Sequence, residues 1–320
     1  MKESSSYKVH YDLRPAKQVE RRMLLETFRR LTQGGFAIDN YQYTGFGALQ
    51  FVDIKLFSRF LGIRRLWSVE HAESLWSRVD YNKPSSLVEI RKETANATIT
   101  ALDWDLQHIL WLDYDDTLSA DMLQDLGDAG RSLSPGSVIL ITVEVETPEI
   151  RELGLDKVPG PSHWEAYYRE QAKYYLPPSL STSDFGATDL PARNIEILVN
   201  VLRESMSRRP SVSFQPLFNF LYKDSHLMLT MGGMICRDLE LAKLASSNLE
   251  SLSFIRRSWI EKPYIIRVPV ITRKERLYLD RVMPCDDGYR VRVFKLGKEE
   301  LEQYREIYPY FPSFSELMLD

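Results

Sequence analysis

The chain has 320 residues, of which 44% are hydrophobic, 12% aromatic and 27% charged, and its formal net charge is −4. This composition is typical of a globular protein, and the mild negative charge gives no general attraction to nucleic acid or to an anionic membrane. No apolar run approaches the roughly 18 residues that span a bilayer, and the first residues lack the apolar core of a signal peptide. Cys236 and Cys285 form no CxxC pair, so we expect two buried thiols in the reducing cytoplasm.

A helix is predicted between Pro15 and the glycine pair at positions 34 and 35. Apolar residues recur at helical spacing from Val19 to Leu31, proline is tolerated in a first turn, and glycine is common just past a helix end. The opposite face is predicted to be solvated and to carry the basic residues Arg14, Lys17, Arg21, Arg22, Arg29 and Arg30. Residues 1–35 are therefore predicted to be an N-terminal helical segment.

Strand and helix patterns alternate over the next hundred residues. The strand candidates are FAIDNYQYTGFG, RRLWSVE, LVEIRKE, HILWLDYDD and SVILITVEV. The helix candidates are ALQFVDIKLFSRFLG, HAESLWSRVDYNKP and DMLQDLGDAGRSLSPG, and a loop is predicted before HILWLDYDD. This alternation is typical of an α/β fold in which helices cover both faces of a parallel sheet. Ligands bind such sheets at the carboxyl ends of the strands.

The second half of the chain departs from this alternation. Residues 151–195 contain five prolines and the aromatic stretch HWEAYYREQAKYYLPP, which predicts an insertion packed over the sheet. Its aromatic side chains either fill a helix core or form a lid over a planar substrate. Apolar runs on both sides of residues 223–225 predict an antiparallel hairpin. We predict a main domain over residues 36–238, with this insertion, and a small C-terminal subdomain over residues 239–320.

A glycine loop follows the first predicted strand, where YTGFGA places Gly45 and Gly47 one residue apart. Glycine accepts a positive φ and allows a ligand to approach the backbone. A helix beginning near Ala48 would offer free N–H groups to a carboxylate or a pyrophosphate. A simple tight turn is the alternative interpretation. No Gly-Lys-Ser/Thr follows, which disfavours a P-loop.

Acidic side chains follow three later strands. A carboxylate such as Glu70 can accept hydrogen bonds from both hydroxyls of a ribose, although a solvated strand end is the alternative. Asp113, Asp115 and Asp116 flank Tyr114, and close like charges raise the pKa of at least one carboxyl group, which would suit a general base. They could instead bind a divalent cation, and Asp115 and Asp116 could instead cap a helix.

The five histidines include no pair at metal-ligand spacing, so no metal site is predicted from them. His71 directly follows Glu70 and would border the same pocket. His163 and Trp164 lie in the insertion, from which they would reach a substrate. A surface or packing role is the alternative for each of the two histidines. The absence of a Gly-x-Ser-x-Gly motif gives no support to a serine hydrolase.

These features together resemble the class I S-adenosylmethionine-dependent methyltransferases over about residues 36–236. The resemblance implies a Rossmann-like α/β sheet, mostly parallel, that ends in an antiparallel hairpin. It also implies S-adenosyl-L-methionine as the cofactor. The cofactor-binding residues that it implies are Thr44, Gly45, Phe46, Gly47, Glu70, His71 and Glu93. Ala48 would be the third small position of the glycine motif. Glu70 would bind the ribose and Glu93 would lie near the adenine, a position for which Asp103 is the alternative.

The same resemblance implies methyl transfer to an oxygen or nitrogen nucleophile, and O-methyltransferases are the most similar group. Asp113 and Asp115 would be catalytic, while Tyr114, His163 and Trp164 would contact the unknown methyl acceptor. Two departures stand out. Tyr43 and Thr44 occupy the place of the acid expected before the first glycine, and DYDD matches neither the Asn/Asp-Pro-Pro-Tyr nor the Pro-Cys pattern of base methyltransferases.

Two other functions remain open at this point. A catalytically inactive protein of this fold would act as a ligand sensor or as a subunit of a larger assembly. A nucleic-acid methyltransferase would use the basic pairs at positions 21–22, 29–30, 208–209, 256–257 and 273–274 if they share one face. A protein partner or a homo-oligomer is compatible with the sequence, and no membrane partner is predicted.

Overall fold

The computed structural model describes residues 13–47, 49–148 and 159–312 of the chain. Eight strands in these residues form one sheet. They are β1 (Gln42–Gly45), β2 (Arg65–Val69), β3 (Val88–Arg91), β4 (His108–Thr117), β5 (Val138–Glu144), β6 (Ser213–Lys223), β7 (Leu227–Cys236) and β8 (Tyr264–Ile266).

The strand order across the sheet is β3-β2-β1-β4-β5-β7-β6-β8. The first five strands are parallel, β7 is antiparallel to both β5 and β6, and β8 is parallel to β6. The order reverses at β1 and β4, and in doubly wound sheets this reversal opens a crevice for a ligand at the carboxyl ends of the strands. The predicted fold class, a mostly parallel Rossmann-like sheet with a late antiparallel hairpin, is confirmed.

Ten α-helices accompany the sheet in the described part of the chain. They are α1 (Pro15–Gln33), α2 (Val52–Leu61), α3 (Trp76–Asn82), α4 (Ala95–Thr100), α5 (Ala120–Ser132), α6 (Pro161–Ala172), α7 (Leu190–Met206), α8 (Asp238–Ser246), α9 (Arg273–Val282) and α10 (Lys298–Ile307). None of the helices in these described ranges combines the length and the apolar character needed to cross a membrane.

The sheet is buried on both faces. Strand β4 shows this directly, because Ile109 and Trp111 pack into the core shared with α1 and α2, whereas Leu110 and Leu112 pack into the core shared with α5 and α7. Strands covered on both sides are expected to be continuously apolar, as HILWL is. A third, smaller apolar cluster joins α9 and α10.

Helix α1 packs directly against the sheet and helix α2. Phe28 makes edge-to-face contacts with Phe57 of α2, at 5.5 Å between ring centroids, and with Phe218 of β6, at 6.4 Å. The predicted solvated face is wrong at two positions, because Lys17 and Arg21 are buried, with relative exposures of 1% and 3%. The helix therefore presents charged as well as apolar side chains to the sheet.

Two local predictions are wrong. The predicted loop before β4 contains helix α4, which has only six residues and no apolar period. Its N-cap is Thr94, whose hydroxyl accepts a hydrogen bond from the Ala97 N–H. Helix α2 begins at Val52, not near Ala48, because Phe51 adopts a left-handed conformation and its N–H binds the Gly47 carbonyl. Ala48 itself lies outside the described residues.

The described part of the insertion, from residue 159 onward, forms α6, two 3-10 turns and the first residues of α7. Tyr168 of α6 is fully buried, and its hydroxyl accepts a hydrogen bond from Asn194 Nδ2 at 3.1 Å. Tyr168 therefore packs in the core, which is one of the two interpretations given for the aromatic residues of the insertion. Residues 151–158 of the predicted insertion lie outside the described residues.

Candidate cofactor pocket

A cavity of about 370 Å³ opens at the carboxyl ends of β1, β2 and β4. Seven of the residues predicted from the sequence line it: Phe46, Gly47, Glu70, His71, Asp113, Tyr114 and Asp115. The lining also includes residues that the sequence did not indicate, among them Arg14, Arg21, Gln50, Asp53, Met122 and Tyr222. The strand ends therefore bring separate sequence motifs onto one concave surface.

Five predicted site residues are not in the described lining of this cavity. Thr44 and Gly45 lie within β1, below the cavity floor. Glu93 pairs with the Arg91 guanidinium at 2.7 Å and accepts a hydrogen bond from the Thr98 hydroxyl. His163 accepts a hydrogen bond from the Gly160 N–H at the start of α6, and Trp164 packs against the core beneath that helix. Their functional roles stay predictions.

Close packing around the glycine loop leaves no room for a side chain at Gly45 or Gly47. Neither glycine has a positive φ, in contrast to the expectation from the sequence. A Cβ on Gly45 would collide with the hydroxyl of Tyr43, and one on Gly47 would collide with the hydroxyl of Ser68 and the ring of Phe51. The backbone at Gly47 can therefore form the cavity floor only without a side chain.

An acid reaches the position beside Tyr43 from a different element. The Tyr43 hydroxyl donates a hydrogen bond to Asp53 Oδ2 at 2.8 Å, and Arg21 Nε donates to Asp53 Oδ1 at 3.0 Å. Burial and the neighbouring Asp53 carboxylate raise the pKa of Tyr43 well above its ordinary value. The sequence lacks the acid expected just before Gly45 of β1. Asp53, in the first turn of α2, supplies a carboxylate at the cavity beside that strand.

Lys17 holds Asp113 from below. Lys17 Nζ lies 2.5 Å from Asp113 Oδ1, donates a hydrogen bond to the Tyr222 hydroxyl at 3.1 Å, and sits 4.3 Å from the centroid of the Trp111 ring. Burial alone would raise the pKa of Asp113, but the Lys17 ammonium outweighs it and lowers that pKa. The expectation of a raised pKa from neighbouring carboxylates is therefore wrong for Asp113, which is an ionised acceptor and a weak base.

A second carboxylate shares the same ammonium group. Glu20 is fully buried, and its Oε2 lies 2.8 Å from Lys17 Nζ. Burial raises the pKa of Glu20 above its ordinary value despite the opposing effect of Lys17. The raised pKa favours the neutral form of Glu20, in which the buried charges of Lys17 and Arg21 balance those of Asp113 and Asp53. Charge balance of this kind is what a low-dielectric interior favours.

Glu70 and Tyr114 are both fixed by neighbours. Glu70 Oε1 accepts a hydrogen bond from the Ala72 N–H at 2.8 Å, and burial raises the pKa of this carboxyl group. The Tyr114 hydroxyl donates to Asp125 Oδ2 at 2.5 Å, and its ring meets Phe46 edge to face at 5.1 Å. Tyr114 therefore forms a rigid wall of the cavity.

Helix α1 carries the site residues that sequence reasoning missed. Arg14 and Arg21 line the cavity, and Lys17 lies directly behind it. The signal was present in the sequence, because positions 17 and 21 share helical spacing with the apolar positions 24 and 28. A charged residue on the apolar face of a helix has to find a buried partner.

The strand order, the late antiparallel hairpin and the cavity at the strand ends define a class I methyltransferase fold. Residues 9–319 match the family described as "Putative O-methyltransferase". The chain belongs to this family, and the class of protein predicted from its motifs is confirmed. No curated protein matches the chain.

Several solved methyltransferase structures are similar to this chain. Trm1 from Pyrococcus horikoshii, solved with S-adenosyl-L-methionine, is 12% identical, with coverage of 82% of this chain and 72% of that chain and a TM-score of 0.43. The plantazolicin methyltransferase BamL, in complex with a triazolic desmethylPZN analog and SAH, is 19% identical, with coverage of 66% and 71% and a TM-score of 0.40. An O-methyltransferase from Bacillus cereus, in complex with SAH, is 14% identical, with coverage of 72% and 86% and a TM-score of 0.39.

Proposed function

We propose that this protein transfers a methyl group from S-adenosylmethionine to an oxygen or nitrogen nucleophile bound at the carboxyl edge of its sheet. The observation that carries the proposal is the meeting of Gly47, Glu70 and Asp113 around one cavity, although Gly47 follows β1, Glu70 follows β2 and Asp113 lies in β4. The family to which the chain belongs supports the reaction class.

The donor groups of the cavity fit the polar parts of this cofactor. The Glu70 carboxylate is suited to the two ribose hydroxyls, because a carboxylate accepts two hydrogen bonds at once. The guanidinium groups of Arg14 and Arg21 are suited to the methionine carboxylate, and the Asp53 carboxylate to the ammonium group. We assign Asp53 the role of the acid that is missing before Gly45.

The apolar side of the cavity fits the adenine ring. Val69, Ala95 and Met122 line it, on three different elements. These side chains offer flat or flexible apolar surface to a planar base, and methionine in particular adapts to aromatic rings. Glu93 lies outside the described lining, so we assign adenine recognition to this apolar wall instead of to Glu93.

Asp113 positions the methyl acceptor in this proposal. When bound, S-adenosylmethionine supplies a methyl group that is already activated on a sulfonium sulfur. The protein then mainly has to hold the acceptor in line. Since Lys17 keeps Asp113 ionised, its carboxylate accepts a hydrogen bond from the acceptor O–H or N–H and orients the lone pair. Because its pKa is lowered, Asp113 is better suited to orient the acceptor than to act as a general base.

Calorimetry with S-adenosylmethionine and S-adenosylhomocysteine tests the cofactor assignment. We expect the wild type to bind both and Glu70→Ala to lose about tenfold or more in affinity, because the ribose hydroxyls lose a charged acceptor. Glu73→Ala is the matched control, since Glu73 is exposed only three residues away. Absence of binding by the wild type, or equal binding by Glu70→Ala, would contradict the proposal.

One observation favours a second candidate, a protein that binds the cofactor without catalysis. The Lys17 ammonium lowers the pKa of the best-placed acid, so Asp113 is poorly suited to take a proton from the acceptor. Such a protein would act as a ligand sensor or as a subunit of an assembly. Incorporation of labelled methyl groups into any acceptor would exclude this candidate, whereas cofactor binding without transfer to any acceptor supports it.

A further inference from the structure

We propose that Glu144, Glu146 and His226 form a binding site for a divalent transition-metal ion of the zinc type. One donor atom from each of the three side chains lies within 4.8 Å of the other two. The site is distinct from the proposed cofactor contacts, and its test does not depend on methyl transfer. The sequence gives no signal for it, because about 80 residues separate the two glutamates from the histidine.

The sheet register brings the three residues together. Glu144 ends β5 and pairs with Met228 of β7, and the Val145 N–H binds the Leu227 carbonyl at 2.9 Å. Continued two residues past Glu144 and Met228, this register places Glu146 opposite His226, just beyond the ends of β5 and β7. Side chains two apart on one strand share a face, as do directly opposed side chains. The pairing of the backbone thus fixes all three groups on one side.

Two of the three distances between the donor atoms equal those between neighbouring ligands of a tetrahedral metal site. His226 Nδ1 lies 3.4 Å from Glu144 Oε1 and 3.4 Å from Glu146 Oε2. In a tetrahedral site with bonds of about 2.0–2.1 Å, neighbouring ligand atoms are about 3.3–3.4 Å apart. A nitrogen–oxygen hydrogen bond is normally about 2.7–3.2 Å long.

The orientation of Glu146 is fixed from outside the cluster. Its Oε1 accepts hydrogen bonds from Lys223 Nζ at 2.6 Å and from the Leu227 N–H at 2.9 Å. These contacts occupy one oxygen, while Oε2 lies toward His226. Carboxylate ligands of metal ions are commonly held in this way by surrounding donors. The carboxylates of Glu144 and Glu146 attract a cation, and the Lys223 ammonium opposes this attraction in part.

The donor set indicates the kind of ion. One imidazole and two carboxylates suit Zn²⁺, and also Mn²⁺ or Co²⁺, better than the all-oxygen preference of Mg²⁺ or Ca²⁺. Three protein ligands leave at least one coordination position for water or another oxygen ligand. The His226 side chain is 50% exposed, so the ion can enter from solvent.

A metal ion here would also stabilise the anchor of helix α1. The neighbouring Asp224, at the tip of the same hairpin, accepts hydrogen bonds from the N–H groups of Ala16 and Lys17 at 2.9 and 3.1 Å. An ion that joins β5 to the hairpin would restrict the tip that holds the first turn of α1. Binding to the folded state should therefore raise the unfolding temperature.

The test is calorimetry with ZnSO₄ and absorption spectroscopy with CoCl₂ on the full chain after chelator treatment and dialysis. We expect one equivalent to bind, intense visible bands typical of tetrahedral cobalt, and a higher unfolding temperature. His226→Ala and Glu144→Gln should each weaken binding by about tenfold or more, since each loses a ligand. Glu250→Gln, which alters an exposed ion pair with Arg257, is the matched control and should bind like the wild type.

Failure of the wild type to bind Zn²⁺ or Co²⁺ would overturn the proposal. So would equal binding by His226→Ala, which would place the ion elsewhere on the chain. Neither outcome bears on S-adenosylmethionine binding, which is measured separately.

Discussion

Lys17 Nζ lies 2.5 Å from Asp113 Oδ1, so helix α1 is ion-paired to strand β4. The two residues are 96 positions apart in the sequence. This contact ties α1 to the candidate active site and fixes the charge of the acid that faces the cavity. Its removal should therefore affect both the stability of the fold and the state of the site.

Lys17→Met should lower the free energy of unfolding by about 3–5 kcal/mol, because it leaves the ionised Asp113 without the buried Lys17 ammonium. Urea denaturation at neutral pH measures the change. The double variant Lys17→Met/Asp113→Asn is the control and should recover part of the loss. A single variant within about 0.5 kcal/mol of the wild type would show that the ion pair contributes little to stability.

The stability of the Glu20→Gln variant relative to the wild type should increase as the pH rises. Burial raises the pKa of Glu20 above its ordinary 4.5, so its contribution to stability is fully present below that pH. The contribution is lost as the pH rises through the folded-state pKa, because the buried group must then ionise. Glutamine does not ionise. The stability of Glu20→Gln relative to the wild type should thus increase from pH 4 to pH 8, and parallel stability curves would contradict this.

Asp53→Asn should destabilise the protein more than Tyr43→Phe. The aspartate variant removes the carboxylate that pairs with the buried Arg21 guanidinium, at a cost of about 3–5 kcal/mol. The tyrosine variant removes one neutral donor, at a cost of about 1 kcal/mol. Chemical denaturation of the two variants provides the comparison. If Asp53 also binds the cofactor ammonium, only Asp53→Asn should weaken S-adenosylmethionine binding strongly.

Gly47→Ala should reduce cofactor affinity by about tenfold or more and stability by about 1–3 kcal/mol, because its Cβ would displace Ser68 or Phe51 from beneath the cavity floor. Gly288→Ala is the matched control, since a Cβ there meets no neighbouring atom and the glycine φ is not positive. Calorimetry and thermal unfolding report the two effects. Normal affinity in Gly47→Ala would mean that the loop does not contact the cofactor.

Much of the sheet could be predicted because local patterns determine it. The first half of β4 is apolar on both faces, so HILWL identifies a central buried strand, and the acids that follow HILWL must lie toward the carboxyl edge. Helix α4 could not be predicted, because six residues with two buried side chains, Thr98 and Ile99, carry no readable period. The start of α2 depends on the left-handed Phe51, a conformation that propensity does not predict.

The sequence by itself determined the α/β class, the late hairpin and the cavity residues that end strands, such as Gly47, Glu70 and Asp113. Periodicity and strand ends are local properties, and parallel strands bring their ends together. The tertiary structure decided the partners of these residues. Lys17 and Asp53 reach the site through helix packing, and the register of β5 against β7 places Glu146 beside His226. Such contacts depend on long-range geometry, which no local pattern contains.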